Sequence, residues 1–296
     1  MNSQLKAHLG LLGTNLFFAI NYSAIKYFTH NHYAGPFGIN IIRLAISLIL
    51  FWTLFLFSRP VTKLQRKDIP AFLLCAITAI GLNQMLFIKG LAFTFPIHAA
   101  LLTLTTPILI TIIAARVLRE KITIGKSFGL LLGALGAGLL IGNRVVSPPG
   151  EDATLGDILV ILSSIAYTFY FILVKPLMKK YSPVQVIRWI FTFGFFMTLP
   201  FCFEEFSAIT WQVFTPKDWF LLFLIVVPGT FFAYIFNVYG IQKLSASTAG
   251  IYIYSQPVFA VAIAMIFLKE ELSLSKIIAA ALIFSGVFLS NRKKDD

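Results

Sequence analysis

The chain has 296 residues, 58% of them hydrophobic and 12% charged. Because a soluble globular protein keeps about a quarter of its residues charged, this composition excludes an ordinary soluble domain. The formal net charge of +12 does not indicate nucleic-acid binding, since the lysines and arginines lie in short loops and no run of like charge is long enough for a nucleic-acid-binding arm.

The apolar residues form ten blocks, each about as long as a helix that crosses ~30 Å of hydrocarbon. Short alternating segments, which are typical of membrane β-barrels, do not occur in the sequence, and a lipid-exposed backbone must satisfy its own hydrogen bonds, which favours helices. We therefore predict an all-α integral membrane protein with ten transmembrane helices, at residues 8–27, 37–57, 69–91, 97–116, 127–143, 156–175, 186–203, 218–241, 246–268 and 274–290. The first block lacks a cleavage site of small residues, so we interpret it as the first helix and not as a signal peptide.

Two stretches of the chain, residues 90–126 and 240–276, align with each other without a gap. Weaker matches, which need a shorter loop in the second half, pair Lys26 with Lys175 and Arg43 with Arg188. The identical pairs in the ungapped stretch include Gly90 with Gly240, Ala99 with Ala249, Pro107 with Pro257, Glu120 with Glu270 and Lys126 with Lys276. An internally duplicated membrane protein with a proline in corresponding helices is typical of secondary transporters.

The duplication predicts two five-helix repeats, residues 1–142 and 156–296, joined by a polar, proline-rich linker at residues 143–155. Because each repeat holds an odd number of helices, we expect the second repeat to enter the membrane inverted relative to the first.

Basic residues are concentrated in the loops on one side of the predicted membrane. With the N-terminus in the cytoplasm, the inner loops and tail hold Arg59, Lys63, Arg66, Lys67, Arg119, Lys121, Lys126, Lys179, Lys180, Lys243, Arg292, Lys293 and Lys294. The outer loops hold only Arg144, Lys217 and Lys269. This asymmetry predicts that both termini are cytoplasmic and that the protein lies in a bacterial cytoplasmic (inner) membrane.

Several short motifs, repeated in the same order in both halves, resemble the EamA-like proteins of the drug/metabolite transporter superfamily. In the first half they are Asn15 to Lys26 (NLFFAINYSAIK), Ile42-Arg43-Leu44, Ala99-Ala100, Pro107, Glu120-Lys121-Ile122-Thr123, Gly129 and Gly133. In the second half they are Ala249-Gly250, Pro257, Glu270-Glu271-Leu272-Ser273 and Gly286. The resemblance implies ten helices in two five-helix halves and transport of small organic solutes, often outward: amino acids, other metabolites or toxic compounds. It does not imply one substrate.

Polar and aromatic residues recur in the middle of six predicted helices. An amide buried in hydrocarbon without a partner costs about 2–7 kcal/mol, so these groups are expected to face one another or water. As candidates for the lining of one substrate cavity we name Asn15, Tyr22, Asn83, Gln84, Thr105, Thr106, Tyr167, Tyr170, Tyr234, Asn237, Tyr252, Ser255 and Gln256. For any single residue, a hydrogen bond between helices is at least as good an interpretation as contact with substrate.

Prolines inside the predicted helices are candidate hinges. Pro107 and Pro257 lie about midway through matching helices, and each lacks an N–H group and displaces the carbonyl four residues before it. The alternative is a static packing kink. Pro228 is a weaker candidate, because its counterpart in the repeat, Thr78, does not break helices.

Four charged residues inside or next to the predicted helices carry further alternatives. Arg43 and Arg188 lie a turn or so inside their helices. We interpret them either as residues that hold a substrate carboxylate or as structural residues. Glu120 and Glu270, just past the two proline-containing helices, are interpreted as gate or structural salt bridges more than as proton carriers. Because no carboxylate lies in mid-helix, the sequence favours facilitated diffusion or exchange over proton coupling through a buried acidic relay.

These observations predict a carrier of small organic metabolites, exporting amino acids or related amphipathic compounds around a cavity at the membrane midplane. The alternatives are a membrane-embedded enzyme, a channel-like uniporter, or a carrier for nucleosides, vitamins or sugar derivatives. An enzyme is disfavoured because the outer-loop acids have no histidine spaced to join them. We expect no cofactor and no metal, since Cys75, Cys202 and the histidines lack ligand spacing. The expected partners are a small-molecule substrate, the lipid bilayer and, for a homodimer instead of a monomer, a second copy.

Overall fold

A computed structural model of the chain describes residues 3–31, 33–57, 62–106, 109, 124–142, 152–243, 252 and 255–291. All regular secondary structure in this part of the chain is helical. We number its α-helices α1 (Ser3–His30), α2 (Pro36–Phe57), α3 (Ile69–Ala76), α4 (Met85–Phe93), α5 (Pro96–Thr103), α6 (Ile124–Gly142), α7 (Ala153–Lys180), α8 (Pro183–Ser207), α9 (Pro216–Val226), α10 (Ala233–Lys243), α11 (Ser255–Phe267) and α12 (Leu274–Asn291). Short 3-10 turns lie at Arg66–Asp68 and Trp211–Val213.

Local sequence signals explain where several helices begin. Pro36, Pro183 and Pro216 each occupy the first helical position, where a missing N–H costs nothing. The Asp152 carboxylate caps α7 by accepting a hydrogen bond from the Leu155 amide over 3.1 Å.

Five helical stretches are long and apolar enough to cross a membrane by length and composition. They are Pro36–Phe57, Arg66–Phe93, Ala153–Lys180, Pro183–Ser207 and Pro216–Gly240. Helix α1 has 28 residues but carries buried polar side chains at Thr14, Asn15 and Asn21, as expected of a helix surrounded by protein more than by lipid. The predicted helices 97–116 and 246–268 lie partly outside the described residues. The described parts are α5 with residues 104–106 and 109, and α11 with residue 252.

The buried apolar residues form two clusters. The first is centred on α1 and includes Ile25, Phe28, Ile42 and Leu91, whereas the second is centred on α8 and includes Leu44 and Phe191. Residues 42 and 44 belong to different clusters, so the intervening residue of α2, Arg43, lies at the junction between them.

Pairs of helices pack closely where glycine removes a side chain. A Cβ atom added to Gly90 of α4 would lie 2.8 Å from the carbonyl oxygen of Gly156 in α7. One added to Gly136 of α6 would lie 2.8 Å from the carbonyl oxygen of Ala279 in α12. Helices α2 and α8 also pack along their length, as do α1 and α10.

Two π-helical segments interrupt the bundle, Ile77–Gln84 between α3 and α4 and Val227–Phe232 between α9 and α10. They begin 150 residues apart, which is also the separation of the two aligned sequence stretches. The second segment contains Pro228, whereas the first contains no proline. Both halves therefore widen the helix at the same place, and proline is not needed for it.

Candidate functional site

Four side chains join α2, the first π segment and α10 at the junction of the two apolar clusters. Arg43 donates from Nη2 to Gln84 Oε1 over 2.7 Å and to Asn40 Oδ1 over 3.0 Å. Gln84 donates from Nε2 to the hydroxyl oxygen of Tyr234 over 3.0 Å. We call Asn40, Arg43, Gln84 and Tyr234 the central polar cluster. Asn40 and Gln84 are buried, Arg43 keeps 7% of its surface exposed, and Tyr234 is half-buried.

Aromatic rings enclose Tyr234. Phe18 of α1 and Phe191 of α8 both meet the Tyr234 ring edge-on, with ring centroids 5.8 Å and 5.0 Å away. These rings restrict the orientation of the phenol, so its hydroxyl stays directed at the polar cluster.

Two other predicted lining residues meet beside this region. The side chain of Asn237 in α10 lies close to the hydroxyl group of Tyr167 in α7. The Tyr167 ring lies 5.6 Å from that of Tyr170, which is buried, whereas Tyr167 and Asn237 are half-buried.

A second polar group joins α1, α5 and α11. Gln256 donates from Nε2 to the hydroxyl oxygen of Tyr22 over 2.6 Å, and that hydroxyl lies 3.4 Å from Thr103 Oγ1. The Tyr22 ring packs against Phe87 of α4 at 5.0 Å. Toward the start of α1, the predicted residue Tyr252 bonds through its hydroxyl to His8 Nδ1 over 2.7 Å.

Several predicted lining residues donate side-chain hydrogen bonds to backbone carbonyl groups. The bonds within one helical turn are Asn15 Nδ2 to Leu11 O at 2.8 Å, Thr105 Oγ1 to Leu102 O at 2.7 Å and Ser255 Oγ to Tyr252 O at 2.6 Å. Asn83 donates to the Ser163 carbonyl over 2.9 Å and so ties the first π segment to α7. Thr106 is buried. The structure therefore joins these five residues to neither polar group.

The proline and acidic candidates fall in different surroundings. Pro257 is buried in the first turn of α11, and Pro228 lies in the second π segment, where Asn21 of α1 donates to the Gly229 carbonyl over 2.6 Å. Pro107 and Glu120 lie outside the described residues. Glu270, between α11 and α12, pairs with Lys276 over 3.1 Å. Burial raises the pKa of the Glu270 carboxyl, and the nearby Lys276 ammonium opposes that rise.

Arg188 and Arg43, matched in the sequence, have unlike surroundings. The Arg188 guanidinium carbon lies 3.7 Å from the ring centroid of Phe55 and 4.6 Å from that of Trp52. Aromatic faces thus cover this buried cation, which is a structural arrangement, while Arg43 meets neutral oxygens.

A buried ionisable group was missed by the sequence analysis. His98 Nδ1 lies 3.0 Å from Asp157 Oδ2, both side chains are almost fully buried, and Thr94 Oγ1 donates to the other carboxylate oxygen. The three residues lie near the ends of α4, α5 and α7. Asp157 is 59 positions from His98 and 63 from Thr94 in the sequence, so no local sequence pattern indicates that they meet.

Comparisons with known proteins agree with a helical membrane transporter. Residues 5–142 and, separately, residues 154–292 match the EamA-like transporter family. A protein named uncharacterized transporter YetK from Bacillus subtilis (strain 168) is 28% identical over 85% of this chain and 76% of its own length. An uncharacterized transporter from Archaeoglobus fulgidus is 26% identical over 98% of this chain and 100% of its own. A biotin transporter from Salmonella typhimurium is 24% identical over 81% of this chain and 78% of its own. One solved crystal structure shares the fold, with a TM-score of 0.65 over 95% of each chain at 17% identity.

Proposed function

This chain belongs to the EamA-like transporter family, and from that premise we propose that it is a carrier that works by alternating access around the central polar cluster. Its cargo is a small organic metabolite, with amino acids and related amphipathic compounds as the first candidates and export as the direction. The observation that carries the proposal is the hydrogen bond between Gln84 and Tyr234.

Those two residues occupy matched positions of the duplicated sequence, 150 residues apart. Matched residues of two repeats can touch only near the axis that relates the repeats. In transporters built from inverted repeats, the substrate site lies near that axis at the bilayer midplane. The Gln84–Tyr234 bond therefore supports a substrate site at this position.

Equivalent helix contacts, each between a helix of one half and a helix of the other, support the ten-helix, inverted-repeat architecture. Gly90 of α4 packs against Val160 of α7, and its counterpart Gly240 of α10 packs against Leu11 of α1. The offset that matches Lys26 with Lys175 also matches Leu11 with Val160. The helix pairs α4–α7 and α1–α10 are thus interchanged, as expected if residues 1–142 and 156–296 are two copies joined by the linker 143–155.

The orientation follows from the charge of the loops. The inner side is assigned to the loops that hold the lysines and arginines, including Arg66, Lys67, Lys179 and Lys180, with both termini in the cytoplasm. The relatives named as transporters come from bacteria and an archaeon, which supports a cytoplasmic membrane as the location.

The nature of the cargo follows from the side chains that lie in and beside the two polar groups. Tyrosines 22, 167 and 234 supply apolar faces with hydroxyl groups at their rims, while Asn237 and Gln256 supply amides. Such a lining suits a solute that has both an apolar part and a hydrogen-bonding part. Biotin-like vitamins are a second candidate class, favoured by the relative named as a biotin transporter.

Counterflow in proteoliposomes tests the proposal. Vesicles are loaded with unlabelled amino acids, vitamins or nucleosides in pools, and entry of the matching labelled compound is followed without an ion gradient. A carrier produces transient accumulation of label, whereas a channel or an enzyme does not. Protein-free vesicles give the background. Absence of accumulation for every pool, with protein shown to be folded, would contradict the carrier.

A further inference from the structure

The central polar cluster contains a buried positive charge that has no negative partner among the described residues. In the described part of the chain, no carboxylate pairs with the Arg43 guanidinium, whose hydrogen bonds go to the neutral oxygens of Asn40 and Gln84. Arginine stays protonated in proteins, so this charge persists. Leaving a buried charge without a partner is strongly unfavourable, and the apolar clusters on both sides do not compensate it.

Donor groups without acceptors lie on the same face of α2. Asn40 Nδ2, Arg43 Nε and Ser47 Oγ are buried and make no hydrogen bond to any residue that the structure describes. Residues 40, 43 and 47 follow the spacing of one helix face. Because Asn40 Oδ1 accepts from Arg43, its amide nitrogen must point elsewhere.

A further donor stands at the accessible edge of the cluster. The hydroxyl oxygen of Tyr234 accepts from Gln84, which leaves its own proton available. Tyr234 is half-buried and Arg43 is 7% exposed, so these two residues are the most exposed members of the cluster. The cluster thus offers one positive charge and several N–H and O–H donors.

We propose that Arg43, supported by Asn40 and Tyr234, is the subsite that binds a carboxylate group of the cargo. The proposal rests on the proposed carrier function and deepens it by naming the class of substrate: compounds with one carboxylate and an apolar body. A planar guanidinium forms paired hydrogen bonds with a carboxylate. A single unpaired cation matches a monoanion better than a phosphate dianion.

The arginine at the matched position in the second half, Arg188, has different surroundings. Aromatic rings cover part of the Arg188 guanidinium, whose carbon lies 3.7 Å from the ring centroid of Phe55 and 4.6 Å from that of Trp52. Arg188 is therefore a suitable control for the loss of a buried arginine that does not bind cargo.

Binding of carboxylates and of their own amides distinguishes this proposal from a structural role of Arg43. The probes are biotin, L-phenylalanine and nicotinic acid, each compared with its primary amide. Binding to purified full-length protein is measured as a rise in unfolding temperature with probe concentration. We expect the wild type to bind at least one acid and to prefer it to the amide by about 10- to 100-fold, the range that a charge-assisted hydrogen bond supplies.

Three variants complete the test. Arg43→Gln removes the charge and is expected to abolish the preference for the acid, while Arg43→Lys keeps the charge and retains a reduced preference. Arg188→Gln is expected to retain the full preference, even if its unfolding temperature falls. Equal binding of acids and amides by the wild type, or no binding of any acid, overturns the proposal, as does an unchanged preference in Arg43→Gln.

The binding assay tests the carboxylate subsite, and counterflow tests the carrier function, so one claim can be contradicted while the other stands. Accumulation in counterflow without any acid preference would leave the carrier standing and remove the carboxylate subsite. An acid preference that depends on Arg43, without accumulation for any pool, would retain the subsite and remove the carrier.

Discussion

Gln84 and Tyr234, which are matched across the sequence duplication, are joined by a 3.0 Å hydrogen bond from the amide of one to the hydroxyl of the other. Each lies at or just after the end of a π segment, Ile77–Gln84 and Val227–Phe232. π segments loosen the regular backbone ladder and occur often at functional sites. The bond therefore joins the two places where the helices of the bundle are most irregular.

Tyr234→Phe should weaken substrate affinity more than it lowers the amount of folded protein. The change removes the hydroxyl that accepts from Gln84 and keeps the ring between Phe18 and Phe191. The loss of one hydrogen bond predicts an affinity reduced by up to about tenfold. Concentration dependence of counterflow measures the effect. Tyr239→Phe on the same helix is the control, because the structure shows no hydrogen bond from its hydroxyl within the described residues, and an equal effect of both variants would contradict the prediction.

Pro257→Ala should impair turnover more than abundance. The change removes a ring that fixes the backbone φ angle near the start of the described α11, and we expect the start of this helix to bend differently without it. We expect a lower initial rate of counterflow per folded molecule. Pro200→Ala, inside α8 and away from both polar groups, serves as the comparison. Wild-type turnover by a well-folded Pro257→Ala protein would refute the hinge role.

Gly136→Leu should destabilise the packing of α6 on α12, whereas Gly138→Leu should not. A side chain at Gly136 meets the Ala279 carbonyl at 2.8 Å and the Ile283 side chain at 2.7 Å, but nothing lies within 4 Å of one at Gly138. Overpacking of this kind costs about 1–3 kcal/mol or more. The measurement is the unfolding temperature in detergent. Similar losses in both variants would show that α6 and α12 are packed differently.

Asp157→Ala should lower stability markedly, because it leaves the buried side chains of His98 and Thr94 without the carboxylate that they hydrogen-bond. Removing one partner of a buried pair costs about 3–5 kcal/mol. Asp152→Ala, five residues earlier, removes only an exposed helix cap worth about 1 kcal/mol. Thermal unfolding of the two variants side by side decides the matter, and an Asp157→Ala protein as stable as Asp152→Ala would mean that the pair with His98 carries no stabilising energy.

The helical character of the chain could be read from the sequence because apolar blocks and turn residues are local signals. The first π segment could not, since Ile77–Gln84 contains no proline and its widening depends on packing against α7 and α8. The bond from Arg43 to Gln84 and the pair His98–Asp157 join residues 41 and 59 positions apart. Such contacts are decided by how helices cross, which composition and periodicity do not specify.

Polar residues also differed in how well the sequence predicted their partners. Gln84 and Tyr234 are both polar residues of predicted helices that are expected to face one another or water, and they do meet. Asn15 was chosen on the same ground, yet its amide bonds to the carbonyl of Leu11 one turn earlier. A helix lets asparagine satisfy itself locally, so a polar residue in mid-helix does not by itself show which side chain it will face.

The most direct test of alternating access is the reactivity of one cysteine from the two sides of the membrane. Asn237→Cys is placed in a background where the buried cysteines are removed by Cys75→Ala and Cys202→Ala. The protein is reconstituted in one orientation and treated with a membrane-impermeant maleimide applied inside or outside the vesicles. The account predicts labelling from both sides, with a saturating substrate changing the ratio of the two rates. Labelling from one side alone, unaffected by substrate, would contradict it.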